Sequence, residues 1–210
     1  MVVPDSSRLH QVENQMSPLA SHNHIVRSYF DIARKITQEA AGSASDADRC
    51  SKSSVSLLMA VAAVEAYINI FGRMWIEQAP DFINAGKIVE DLNKRKPITH
   101  KIKTWPELFF GKGLDLSGGI GQDFLELIEK RNRLMHFTSD YRTVQFENVI
   151  IKGLIDSTAF DSLAPKDAEE AIYIAEGFIE VWIRLQEGLQ ENHVKSATAH
   201  WTGNMVRYAI

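Results

Sequence analysis

At 210 residues, with 45% hydrophobic and 24% charged side chains, the chain has the composition of one ordinary globular domain with enough apolar material for a sizeable core. A formal net charge of −4 argues against a generic nucleic-acid binder, whose phosphate affinity would come from an excess of Lys and Arg. The single cysteine, Cys50, excludes an internal disulfide and offers no thiol cluster for zinc.

Residues 1–20 are polar and aperiodic, without the basic-then-apolar layout of a signal peptide, and are read as a flexible leader. A cytoplasmic setting follows as the default. Ile25, Tyr29, Ile32 and Ile36 then recur at helical spacing and predict a first helix ending near Gly42. "GSASDADRCSKSS" reads as a polar connector. A second helix is expected from Ser53 or Ser54 to about Ile76, apolar on nearly every side and therefore central. Its most apolar run, Val55 to Val64, is interrupted by Glu65, Asn69 and Arg73, too soon to span a bilayer.

A third helix is expected from about Asp81 to Lys94, closed by Pro97. "TWPE" at 104–107 suggests a capped short helix ending at Gly111. The Gly-rich stretch 111–121 lacks a preceding strand and a Walker lysine, so it reads as a connector into the next helix. Between Tyr141 and Leu163 the pattern suits a short strand pair or an extended loop. A final helix begins near Pro165, with a stripe of Ala171, Ile174, Phe178, Val181, Trp182 and Leu185. These elements predict an all-α, antiparallel four-to-five-helix bundle over 21–188, with short extra helices, an irregular segment near 141–163, and a tail at 189–210 that Trp201 helps to dock.

Chemistry concentrates in "IEKRNRLMHF". The apolar spacing of Phe124, Leu127 and Ile128 leads to a slot filled by Arg131, and Asn132 and His136 stand one turn apart beside it. Glu65 interrupts the central helix in the same way, with Asn69 one turn on, and is expected to be largely buried; the stranded Arg131 is the available counterion, with Arg27, Arg34 and Arg73 as competing partners. Metal-free RNA cleavage needs a base for the 2′-hydroxyl, an acid for the leaving oxygen and a cation for the phosphorane. Imidazole serves either proton role near neutral pH, and a guanidinium grips phosphate oxygens. One His136 cannot be acid and base at once, so a twofold homodimer would complete the site. Lys94, Arg95, Lys96, Lys101 and Lys103 form a basic stretch with no acid, a candidate RNA contact. His22 and His24 have no ligand company, and neither a metal nor a cofactor is expected.

Arg131, Asn132 and His136 also spell R-N-x-x-x-H, the hallmark of the HEPN superfamily, which the chain resembles over about residues 23–187. The resemblance implies an all-α bundle that dimerises with both motifs facing one cleft. Many such domains are metal-independent endoribonucleases of toxin–antitoxin, CRISPR-associated or antiphage systems, some paired with an antitoxin protein. Others are inactive modules that bind a partner protein or nucleotide. One branch carries a tyrosine two residues after the histidine, the target of a partner nucleotidyltransferase. Thr138 stands there, which argues against that partnership.

Overall fold

The computed structural model describes residues 22–135, 141–146, 149–155 and 157–208. The leader, residues 1–20, lies outside them. The fold is all-α, a helical bundle, with one hairpin added. Its helices are α1 (His24–Ala41), α2 (Asp46–Gln78), α3 (Ala85–Asn93), α4 (Ile98–Phe110), α5 (Gly119–Met135), the single turn α6 (Thr158–Asp161), α7 (Pro165–Arg184) and α8 (Glu191–Thr202). The segment left open between strand pair and loop is an antiparallel pair, β1 (Tyr141–Phe146) and β2 (Val149–Ile155), with an irregularity between Arg142 and Val144.

α2 is the axis. It runs unbroken for 33 residues and starts well before Ser53, because Ser45 caps it: the Ser45 hydroxyl accepts the Asp48 N–H at 3.4 Å. Asp46 and Asp48 complement the dipole of the first turn, so the stretch predicted as connector is mostly helix. Length and composition alone would allow α2 to cross a bilayer, but 56% of its apolar window is buried within the bundle. Leu57, Val61, Val64, Tyr67 and Ile68 are all core residues, each worth roughly 1.5–3 kcal/mol on burial.

Four helices make the bundle: α1, α2, α5 and α7. The Gly42–Ser45 link turns α1 back along α2, and α5 opposes α7, since Lys130 meets Asp167 and Phe124 meets Phe178. The two central helices run in the same direction. Cys50, early in α2, donates its thiol to the Asp161 carbonyl just ahead of α7, whereas Phe71, late in α2, meets Trp182 near the end of α7.

α1 packs differently from its expected stripe. Ile25 and Ile32 are 52% and 42% exposed; the buried row is Val26, Phe30, Ala33, Thr37 and Ala40. Small residues win this face because they allow a close approach. The Ser56 hydroxyl of α2 donates to the Ala33 carbonyl at 3.0 Å and lies 2.7 Å from the Thr37 hydroxyl.

Thr104 does not start a helix either. α4 begins directly after Pro97, runs through Pro106, and ends at Gly111 in the left-handed region (φ 69°). The Thr104 hydroxyl instead donates to the His100 carbonyl within that helix. Gly72 of α2 receives the α4 indole: a Cβ there would stand 2.7 Å from Trp105 Cζ3. Gly121 is required for a similar reason, since a Cβ would collide with the Asp115 carbonyl as the connector folds across α5.

Residues 189–210, read as a tail, carry α8, whose Val194, Thr198, Ala199 and Thr202 are buried. The Asn23 amide donates to the His200 carbonyl at 2.6 Å, and the Trp201 ring meets Tyr67 edge-on at 4.9 Å. What fastens the end of the chain is Glu176 of α7, 1% exposed. Its carboxylate accepts Arg34 Nη2 at 2.6 Å, Arg207 Nη1 at 3.0 Å and the Asn204 amide at 3.0 Å. Glu176→Gln is expected to cost about 2–4 kcal/mol in urea unfolding, because two guanidinium groups lose their buried counterion. Combined with Arg207→Ala, its effect should be clearly less than additive.

Candidate functional site

Arg131 continues the row Phe124, Leu127 and Ile128 that α5 turns toward the bundle, and it is the point where that row reaches the rim. Its Nη2 donates to Glu65 Oε2 across the α2–α5 seam at 3.4 Å. The two side chains are 24% and 39% exposed. The expected pairing is present, but the expectation of a largely buried Glu65 is corrected. Val64 and Ile68 take the core-facing positions of α2, and Glu65, a helical step of about 100° from Val64, lands at the wet edge. A pair this long and this solvated adds less than about 1 kcal/mol of stability. Its consequence is positional: the guanidinium is tethered while part of it still faces solvent. Asn132 is exposed, and its amide has no hydrogen-bond partner among the described residues. His136 lies outside the described residues.

Asn69, one turn beyond Glu65, does not face Arg131. Its Oδ1 accepts Lys101 Nζ from α4 at 2.6 Å. Lys101 is only 4% exposed and its ammonium lies over the Trp105 ring, 5.4 Å from the centroid. Burial pushes its pKa down, against the opposing pull of the Glu65 and Asp91 charges. Lys101 is therefore corrected from surface RNA contact to interior cation. α4 holds two of these lysines, 101 and 103, two residues apart and so on different faces, and position 101 shares the inward face with Ile98, Ile102 and Trp105.

Of the other basic residues, Lys94, Arg95 and Lys103 are exposed and Lys96 is half-buried. Lys94 is paired with Glu90, and Arg95 holds a left-handed backbone (φ 50°) that turns the chain from α3 into α4. The cluster thus remains a cationic corner, smaller than its sequence suggests.

Beside it, Asp91 of α3 is buried and accepts Trp105 Nε1 at 3.0 Å and His100 Nε2 at 3.1 Å. Burial opposes ionisation of Asp91, but the hydrogen bonds from Trp105 and His100 outweigh it and hold the carboxyl below its usual range. Glu176 and Asp91 were both missed by sequence patterning. The available signal was an acid in a core register: Glu176 sits between Ala175 and Phe178, and Asp91 lies three residues after Ile88.

A concavity of about 440 Å³ opens between α5 and α7 and does not include Arg131. Asp123, Glu126, Asp167 and Glu170 outnumber Lys130 and Arg133 in its walls, so a phosphate would meet net negative charge there. Among the described residues, no group of three or more His, Cys, Asp or Glu is placed to hold a metal. His22 and His24 are exposed at the start of α1, and His193 and His200 on α8. No protein-family model matches the chain, and neither curated proteins nor solved structures give a significant match.

The Asp91 cluster makes a checkable statement about acid stability. Its folded pKa is depressed, so its stabilisation is complete above the unfolded value near 4 and disappears as pH falls through the folded value. Asp91→Asn should lower stability by about 1–2 kcal/mol at pH 7 and flatten the decline below pH 4, read from urea titrations between pH 3 and 7.

Proposed function

We propose that this chain is a metal-independent endoribonuclease of HEPN type that works as a homodimer. The reading rests on the R-N-x-x-x-H series beginning at Arg131, together with the tethering of that arginine by Glu65 at the solvent edge of an all-α bundle. In this scheme a base removes the proton from the RNA 2′-hydroxyl, whose oxygen attacks the adjacent phosphorus. The 5′-oxygen leaves with a proton from an acid, and a 2′,3′-cyclic phosphate remains. The two His136 imidazoles of a dimer would divide these proton roles. Arg131 would neutralise the phosphorane oxygens, and Asn132 would orient the phosphate or the imidazole. Glu65 restrains the guanidinium, and the exposed Lys94, Arg95 and Lys103 offer a cationic approach for the backbone. Such an enzyme would suit a toxin–antitoxin or antiphage setting.

The second reading is an inactive helical module that binds a partner protein or nucleotide through the same edge. It is favoured by the interior position of Lys101 and the acidic walls of the concavity between α5 and α7, which leave little positive surface.

Incubation with mixed RNA in EDTA separates the two. The nuclease should cut RNA but not DNA and leave 2′,3′-cyclic ends. His136→Ala and Arg131→Ala should each lower the rate a hundredfold or more, on the order expected of positioned acid–base and charge-stabilising groups, and Asn132→Ala less. Arg131→Ala should cost under about 1 kcal/mol of stability, so lost cleavage would not be lost folding. Dependence on added magnesium, or full activity in His136→Ala, overturns the mechanism. No cleavage of any RNA by the wild type favours the binding module.

A further inference from the structure

The expected inner stripe of α1 faces outward. Ile25, Tyr29, Ile32 and Ile36 follow one another at i, i+4, i+7 and i+11, and each immediately precedes a residue of the buried row Val26, Phe30, Ala33 and Thr37. α2 repeats the pattern. Val55, Met59, Ala62 and Ala66 have the same spacing, each one residue ahead of the buried Ser56, Ala60, Ala63 and Tyr67. One residue is a step of about 100° around a helix. The helices are antiparallel, and their buried rows meet at Ser56, Ala33 and Thr37. A step in the same sense therefore carries both outer rows to the same side of the pair. The step in the other sense leads inward, where Arg34 meets Glu176 of α7 and Leu57, Val61, Val64 and Ile68 are core.

These eight residues make one apolar face with no charge among them. Ile25, Ile32 and Val55 are exposed, and the other five are half-buried. Scattered apolar residues are ordinary on a surface, but two adjacent rows that alternate four- and three-residue spacings form the kind of seam by which helices pack on helices. α1 is 18 residues long, so the face measures about 27 Å by about 20 Å, on the order of the ~800 Å² that one partner contributes to a standard interface. Along α2 the row is bulky at one end (Val55, Met59) and small at the other (Ala62, Ala66). A reversed copy of the row sets Met59 against Ala62 and Val55 against Ala66, large against small, as close packing requires.

We infer that a second copy of this chain covers the face, with α1 and α2 each packing on its own antiparallel copy. The twofold axis lies in the interface, across the helices, at the level between Met59 and Ala62. A twofold contact joins identical patches, and the reversed α2 row is complementary to itself. The face also borders the candidate site. Glu65 immediately precedes Ala66, and Arg131 reaches it from α5. α5 runs against α2, so Met135, one turn past Arg131 and 55% exposed, returns to about the level of Val61 and Ala62. The axis thus sets the ends of the two α5 helices across from each other, where the ribonuclease reading needs its second copy. That consequence rests on the reading; the interface rests on the face.

The test uses the full-length protein without RNA. Sedimentation equilibrium should show a dimer at tens of micromolar. Ile32→Glu and Val55→Glu, both at exposed positions, should each weaken it tenfold or more without loss of helicity by circular dichroism, because association would bury an unpaired carboxylate. Ile83→Glu, at a position 93% exposed outside the face, should leave the dimer intact. The register is read in a Cys50→Ser background, which removes the one native thiol. There a mixture of Met59→Cys and Ala62→Cys chains, oxidised with diamide, should form the mixed disulfide dimer in preference to either homodimer. A monomer overturns the inference, whether or not the face then takes up lipid vesicles. So does a dimer that both glutamate variants leave intact, one that Ile83→Glu weakens equally, or a preference for either disulfide homodimer. The two readings fail separately: a dimer with this interface that cuts no RNA upholds the inference and rejects the enzyme, and a monomer that cuts RNA does the reverse.

Discussion

Glu176 is a carboxylate set among the core residues of α7, and it is tolerable only because donors from two distant parts of the chain converge on it. Arg34 reaches it from α1, and Asn204 and Arg207 reach it from the segment after α8. An isolated charge in that position would cost several kcal/mol. With its partners it fixes which end of α1 lies against α7 and brings the C-terminal residues back over both. Arg34 also donates to the Thr202 carbonyl at 2.7 Å, so one guanidinium satisfies the carboxylate and an otherwise orphaned helix-end acceptor. Gly203 completes the return with a left-handed turn (φ 74°) beside Arg27, Asp31 and Arg34. The placement of α8, and hence of Trp201 against Tyr67, depends on this arrangement.

With the outer helices placed, α2 acquires two faces of different chemistry. Glu65, Asn69 and Arg73 stand one above another at four-residue spacing and form a polar seam. Arg131 of α5 meets its first member and Lys101 of α4 its second. The opposite side carries Tyr67, Phe71 and Trp75 and faces Phe109, Phe110, Trp182 and Trp201. Aromatic edges and faces interlock there, adding geometric preference to the burial of their area. The polar seam is open to solvent at Arg131 and closed at Lys101.

The bundle was legible in sequence wherever a long element carried its own start, stop and apolar period. Pro165 and Asp167 announced α7, and the Asp167 carboxylate accepts the Ala164 N–H at 2.9 Å. Gly111 marked the end of α4. Arg131 was legible as a partner for Glu65, because two charges stranded in apolar helices need each other, but Arg27, Arg34 and Arg73 were equally open until the helices packed. The start of α2 was not, since Ser45 and Asp48 were hidden in a polar stretch that resembled a loop. Thr104-Trp105-Pro106-Glu107 resembled a cap, but tertiary packing of Ile98, Ile102 and Trp105 carries α4 straight through it.

What the sequence determined by itself was local: helix periods, several boundaries, the central role of α2 and the clustering of Arg131, Asn132 and His136. Each follows from backbone geometry and side-chain type within a few turns. Which face of α1 became core was decided only by the tertiary structure, because two rows of that helix were apolar enough, and Ala33 and Thr37 allowed the closer approach to Ser56. The tertiary structure likewise turned Lys101 inward, left Glu65 at a wet edge and brought Glu176 to Arg34 and Arg207. Partners separated by tens of residues leave no period in the sequence, and their pairing is settled only when the helices pack.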